Sequence, residues 1–409
     1  MSDGRSVLMI SPGYPAEMPF FTRGLAASGA RVVGLGDQPV HALPEMARNH
    51  LADYWQIPSF ADEDGIVVQA RRAAHQMHID QVESLWEPTM VLAARLREVL
   101  GIPGMSVEQT IPFRDKERMK RTLDAAGIRT PHHYSATTAS DVREAVERIG
   151  FPAIVKPIAG AGSANTFRLD SWADLEQVLP YLRHVAEVSV EEFVDGEEFT
   201  YDTICAHGER LYENISWYRP RPLVSRQLEW VSPITMSLRD MHVPYLAAGV
   251  RMGHAVLDAL GFTDGFTHME WYLKPSGEAV FGEIGARPPG ARTVDVMNFA
   301  ADTDLFQRWA EAAVHGAFSE PVVQRYNAAS IFKRAQGQGR IARIEGLSHL
   351  LAEYGDAVCA IDLLPLGAPR RNWLATLISD GMVIVRHPEL SACTEIADRF
   401  ASELQLYAA

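Results

Sequence analysis

The chain has 409 residues, 38 Lys and Arg against 52 Asp and Glu, a formal charge of −14, and 47% hydrophobic residues. That length accommodates two or three domains with real cores, and the composition excludes disorder, a collagen-like repeat and a disulfide mini-protein. So acidic a chain is a poor partner for nucleic acid, whose affinity rests on Lys and Arg neutralising phosphates, or for an anionic membrane surface. Of the basic residues 33 are Arg and only five are Lys: Lys116, Lys120, Lys156, Lys274 and Lys333. A Lys in such a chain marks a place that wants a compact point charge rather than a planar fork.

Taken in chain order, Val7 to Ile10 and Arg31 to Leu35 read as strands flanking a helix near Phe20 to Ser28. Gln81 to Leu85 is a further strand, and Met90 to Leu100 has helical spacing ending at Gly101. Units of this kind imply right-handed crossovers and a parallel sheet. A charged helix, Asp115 to Ala126, closes at Gly127. Then come a helix from Ala139 to Ile149, a strand Ala153 to Lys156, a Gly-rich loop, a strand Thr166 to Leu169 and a helix Ser171 to Leu182. Glu198 to Trp217 reads as two long strands around a His207-Gly208 turn, followed by a Pro- and Arg-rich loop from Tyr218 to Pro233 and a long helix, His242 to Leu260. Gly265 to Ile284 is a hairpin turning at Pro275-Ser276-Gly277. Helices near Thr303 to Val314 precede an α+β stretch with strands Val358 to Leu363 and Met382 to His387 and a helix Glu389 to Glu403. Cys205, Cys359 and Cys393 lack metal or redox spacing and read as buried thiols. No apolar run approaches the ~20 residues that span a bilayer. The expected location is the cytoplasm.

Three segments carry chemistry. Lys156 ends an apolar strand and is followed by Gly160, Gly162 and Ser163, small residues that let backbone N–H groups approach a polyphosphate. The spacing is neither GxxxxGK[ST] nor GxGxxG, and a tight turn with a snorkelling Lys fits equally well. Glu191-Glu192-Phe193-Val194 and Glu198 place acidic beside apolar groups, suited to an adenine edge and ribose hydroxyls, or to a solvated acidic turn. The hairpin can set Glu270 and Glu283 side by side, where like carboxylates call for a hard cation such as Mg²⁺ or Mn²⁺. Arg287 follows, with a bidentate fork for phosphate or carboxylate.

In this order the three segments resemble the ATP-grasp superfamily, and the resemblance covers nearly the whole chain. It implies an ATP-grasp fold of α/β and α+β class: a pre-ATP-grasp parallel-sheet domain over 1–112, a small lobe over 113–196, a large lobe with the metal site over 197–327 and a biotin-carboxylase-like α+β piece over 328–409. It further implies ATP held by Lys116, Lys156, the lid at Gly160 to Ser163, the hinge Glu191 to Val194 and Glu198, metal on Glu270 and Glu283, and Arg287 on the transferred phosphate. Two departures stand out. Gly285 replaces an Asn commonly found two residues after the second metal carboxylate, which puts a two-metal stoichiometry in doubt. Glu192 replaces a common hinge Lys, so adenine should be met there by backbone.

The chemistry so implied is ADP-forming carboxylate activation: the γ-phosphate passes to a carboxylate, and an amine then displaces phosphate from the acyl phosphate. Thr267-His268-Met269-Glu270 resembles the Thr-His-Thr-Glu of amino-acid ligases, which turns the expectation toward amino-acid substrates. Arg292 is a second candidate for the acyl phosphate, and His268 for orienting a carboxylate or serving as a base, against a hydrogen-bonded structural role. The Arg219 to Arg226 loop either binds substrate or pairs with surface acids. Carboxylation or phosphotransfer within the same superfamily, and a non-catalytic nucleotide-binding protein, are the competing readings. Small-molecule substrates are expected as partners, with a homodimer as one assembly open to the chain.

Overall fold

The computed structural model describes residues 4–73, 78–158, 166–376 and 378–409. Strands β1 (Ser6–Ile10), β2 (Arg31–Gly36), β3 (Asp53–Gln56) and β4 (Gln81–Ser84) form a parallel sheet in the order β3-β2-β1-β4. Every residue of β1 is buried, as a strand covered on both faces requires. Helix Met90–Leu100 packs beside it and stops at Gly101, whose φ of +68° suits a residue without a Cβ.

A second, antiparallel sheet is built from β5 (His133–Ala136), β6 (Ala153–Pro157), β7 (Phe167–Leu169) and β8 (Val188–Glu192) in the order β5-β8-β6-β7. Helices Ala139–Ile149 and Trp172–Val178 cover it, the first started by a capping box between Thr138 and Asp141. The expected phosphate loop, with Gly160, Gly162 and Ser163, lies outside the described residues.

The largest sheet is antiparallel and has nine strands. β9 (Glu197–Ala206), β10 (Glu209–Asn214), β11 (Ser216–Arg219), β12 (Ile234–Ser237), β13 (Gly265–Leu273) and β14 (Ala279–Gly285) are joined by β15 (Asn327–Phe332), β18 (Val358–Leu363) and β19 (Gly381–His387), while β16 (Gln336–Gly337), β17 (Ile341–Glu345) and β20 (Gln405–Ala408) make a small sheet of their own. The order β14-β13-β9-β11-β12-β15-β19-β18 has a consequence for the expected boundary at 327: it falls at the start of β15, inside one continuous sheet.

Several elements differ from expectation for local reasons. The helix expected from His242 begins at Ala247, because Pro244 restricts the residue before it and the chain turns there. Helix Thr293–Ala301 was not expected, since it follows a Pro-Pro-Gly run that reads as loop. The next helix starts at Leu305, capped by Asp304. Helix Ser171 to Leu182 tightens to 3₁₀ geometry over Leu179–Leu182, where Pro180 removes a backbone donor. All three cysteines are free, Cys205 and Cys393 buried and Cys359 partly so. Among the described residues no helix is long and apolar enough to cross a membrane.

One face of β9, β13 and β14 is apolar and rests on helix Ala247–Leu260, with Phe199, Tyr201, Met269, Trp271, Phe281 and Ile284 all buried. The helix approaches through glycines: a Cβ on Gly249 would lie 2.2 Å from the Trp271 ring, and one on Gly253 2.4 Å from Tyr201. Gly249→Ala therefore overpacks this contact and should destabilise the protein by about 1–3 kcal/mol despite improving helix propensity. Chemical denaturation of the two proteins checks it, and an unchanged or raised midpoint would show that Trp271 yields without cost.

Candidate active site

The opposite face of the same strands is polar. The register pairs Asp202 with His268, Thr200 with Glu270 and Glu198 with Tyr272 across β9 and β13, and Glu270 with Glu283 and His268 with Gly285 across β13 and β14. Alternation along the strands turns these residues toward a cavity beneath the small lobe. Glu87, Lys116, Lys156, Glu191 to Val194, Glu198, Arg221, His268, Glu270, Glu283 and Arg287 all line it.

Helix Lys116–Ala125 ties the two lobes together. Lys116 and Lys120 lie four residues apart on one helix face, and Asp115 caps its start by accepting from Glu117 N and Arg118 N. Lys116 Nζ reaches Glu283 Oε1 on β14 at 2.5 Å, while Lys120 pairs with Glu191 on β8. The other oxygen of Glu191 holds Lys156 Nζ at 2.9 Å. Lys156 is the diagonal neighbour of Glu191, because Ile154, two residues earlier on β6, lies directly opposite it. Burial pushes the Glu191 carboxyl up, but the two ammonium groups overcome it and hold it well below the usual carboxylate range. Lys120 is only 1% exposed. Its removal leaves a buried carboxylate half-paired. Lys120→Met should cost roughly 3 kcal/mol, whereas Lys120→Met with Glu191→Gln should cost less than the single change. Denaturation of the wild type, the two single variants and the double variant decides this; additive losses would mean the pair is not coupled.

On the large lobe, His268 Nδ1 bonds Asp202 Oδ1 at 2.6 Å and its Nε2 lies 3.7 Å from Glu270 Oε1. Burial would lower the His268 pKa, yet Asp202 and Glu270 raise it to about 9, so the ring is an imidazolium at neutral pH. Burial raises Glu270, but His268, Arg287 and Lys156 together bring it below the ordinary range. Tyr218 donates to Glu270 Oε1 at 3.5 Å. Glu198 stands differently: burial and the Glu270 charge push it up to about 8, opposed by Arg221 at 3.2 Å. The imidazolium adds stability that is whole below pH 6.5, the ordinary His value, and vanishes as pH climbs through about 9. His268→Gln should therefore flatten the fall in stability between pH 7 and 9.5, read from denaturation midpoints across that range; an equally steep fall in the variant would refute the assignment.

Glu87 was not expected. It follows β4 at the carboxyl end of the parallel sheet, a position where such folds place ligands and the one signal that could have found it. Its Oε2 accepts from Arg287 Nε at 2.8 Å and its Oε1 from Arg114. Arg287 is thereby aimed from the N-terminal sheet, while its Nη1 donates to Pro288 O at 2.9 Å. Asp202 and Lys120 support the site without having been singled out as site residues, while from the loop weighed for substrate binding Arg221 lines the cavity and Tyr218, just before it, bonds Glu270.

Arg292 is placed elsewhere. It does not line the cavity; its guanidinium pairs with Asp295 at 2.6 Å and lies 3.6 Å from Asp362. The side chain of Glu192 lines the cavity but is held by Arg129 at 2.8 and 2.9 Å. Its backbone N–H donates to His132 O at 2.8 Å and that of Phe193 to Pro152 O at 3.2 Å, so both are engaged within the protein. A Cβ on Gly285 would stand 3.3 Å from Arg287 Cγ, so an Asn here would crowd the arginine. Among the described residues no three His, Cys, Asp or Glu side chains converge as a metal-binding group. Glu270 and Glu283 are nevertheless hard, adjacent oxygen donors, a set that fits a divalent cation completed by phosphate and water.

The family profile for the ATP-grasp N-terminal domain matches residues 26–104, and that for the ATP-grasp domain matches residues 113–213. The whole chain superposes on the crystal structure of L-amino acid ligase from Bacillus licheniformis with a TM-score of 0.79 at 20% identity, covering 100% of both chains. The chain has the ATP-grasp fold, and two of its segments match ATP-grasp family models. The phosphoribosylglycinamide synthetase of Anaerococcus prevotii shares the ATP-grasp fold at a TM-score of 0.71 and 14% identity, again over 100% of both chains. The L-arginine-specific L-amino acid ligase of Bacillus subtilis is 32% identical over 218 residues, 52% of this chain and 52% of that protein. This ATP-grasp chain thus aligns with about half the length of that relative.

Proposed function

We propose that this protein is an ATP-dependent, ADP-forming ligase that activates a carboxylate as an acyl phosphate and joins it to an amine, both from amino acids. The observation that carries the reading is the convergence of Lys116, Lys156 and Arg287 on a cavity floored by Glu270 and Glu283. Phosphoryl transfer needs charge neutralisation and alignment more than a covalent nucleophile, and this set supplies both. The similarity to an L-amino acid ligase over half the chain supports amino-acid substrates.

In this reading Lys156 and Lys116 bind the phosphate chain and Val194 and Glu198 the nucleoside. Mg²⁺ or Mn²⁺, held by Glu270 and Glu283, would neutralise charge on the β- and γ-phosphates. A substrate carboxylate oxygen attacks the γ-phosphorus, the bond to the ADP oxygen breaks, and Arg287, held by Glu87, stabilises the charge on the transferred group. The substrate amine then attacks the acyl carbon, inorganic phosphate leaves, and the amine proton passes to solvent or to the departing phosphate. His268, held by Asp202 at 2.6 Å and facing Glu270, is placed to orient a carboxylate. Small metabolites rather than polyanionic macromolecules suit a chain of charge −14.

Incubation with Mg²⁺, ATP and pairs of L-amino acids should release phosphate only with a productive pair, and mass spectrometry should find one joined product per phosphate. Phosphate release without a joined product would sink the ligase reading. Glu283→Ala should abolish turnover while leaving the circular dichroism spectrum intact; normal turnover in that variant would remove the metal assignment.

A further inference from the structure

Arg221 enters the cavity from the loop after β11 and takes up the contacts expected of a nucleoside. Its Nη1 donates to Val194 O at 2.8 Å and its Nε to Glu198 Oε2 at 3.2 Å, bridging the end of the hinge and the carboxylate expected to receive ribose hydroxyls. The guanidinium carbon lies 4.9 Å from the centre of the Phe193 ring and 4.7 Å from that of Tyr272. A planar cation with N–H groups on its edge and aromatic faces against it has the hydrogen-bonding and stacking character of adenosine. The guanidinium stands against both rings while holding Val194 O and Glu198 Oε2, so a nucleoside seated on the same rings would have to displace it.

Burial gives the arginine a reason to be there. Glu198 is 4% exposed, and Arg221 Nε supplies its carboxyl with a hydrogen-bond partner inside the cavity. The loop is anchored just before Arg221, where Arg219 pairs with Asp398 at 2.9 and 3.1 Å and covers Trp217 at 4.7 Å.

We propose that Arg221 is a nucleoside-mimicking gate: in the nucleotide-free protein its guanidinium fills the adenosine half of the cleft, and it withdraws for ATP to seat. The proposal rests on the nucleotide reading of this cavity given above. It makes Arg221 a competitor of ATP, the reverse of what its place among the site residues suggests. The phosphate half of the cleft, at Lys116, Lys156 and Arg287, lies outside the competition.

The test is equilibrium titration of the full-length wild type, Arg221→Ala and Arg221→Lys with a non-hydrolysable ATP analogue and Mg²⁺, and in parallel with inorganic tripolyphosphate. Arg221→Ala should bind the analogue roughly tenfold tighter, the scale of one charge-assisted hydrogen bond released from competition. Tripolyphosphate affinity should stay unchanged. Weaker or equal analogue binding by Arg221→Ala would overturn the gate, the former making Arg221 a nucleotide ligand. A tripolyphosphate affinity that rises as much as that of the analogue would also overturn it, by showing a general electrostatic effect. Should Arg221→Ala fail to fold by circular dichroism, Arg221→Lys decides: an ammonium cannot bridge both acceptors, and the gate requires it too to bind the analogue more tightly than wild type. Wild-type protein that binds tripolyphosphate but no analogue would instead remove the nucleotide reading itself, and the gate with it.

Discussion

The active site depends first on the register between β9 and β13. Nine consecutive residue pairs, from Gly265 opposite Cys205 to Leu273 opposite Glu197, decide which side chains face the cavity and which face helix Ala247–Leu260. A slip of one residue would send Trp271 and Met269 into the polar cleft and bury Glu270 and His268 under the helix. The aromatic packing on the back of the sheet and the acidic array on its front are therefore one constraint seen from two sides. Glycines at 249 and 253 let the helix close on Trp271 and Tyr201 and so lock the register in place.

The site's charge follows from that platform. Carboxylates from three strands gather on one face, and their mutual repulsion has to be met by cations arriving from other elements: Lys116 from a helix, Lys156 from the small lobe, Arg221 from a loop and Arg287 from the end of β14. Glu191 is shared between two lysines and Glu87 between two arginines, while the guanidinium groups of Arg221 and Arg287 each make two contacts at once. The scarcity of Lys in the chain thus has a structural counterpart, with three of the five lining or supporting the cleft.

Much of this was legible in the residues. The hairpin of β13 and β14 announces itself by its turn, and with it the pairing of Glu270 and Glu283; Lys156 at a strand end and the acidic run at Glu191 are equally local signals. What was not legible depends on contacts across long stretches of chain. Glu87 meets Arg287 from 200 residues away, and Lys120 meets Glu191 from 71, so neither could be seen from spacing. Arg292 carried a local warning that went unused: Asp295 lies three residues on, the spacing at which a helix pairs opposite charges. Strand β12 and helix Thr293–Ala301 were hidden by the Pro-rich runs before them, which read as loop although the chain resumes regular structure immediately afterwards.

The bond between Glu87 and Arg287 bears on how such a chain can change over evolutionary time. The N-terminal parallel sheet is more than an appendage. Its Glu87 carboxylate holds Arg287 from 200 residues away, so under the proposed function that sheet helps to aim the arginine at the transferred group. Exchange of the sheet for another would leave Arg287 without this partner, unless the incoming one brought an acid to the same spot.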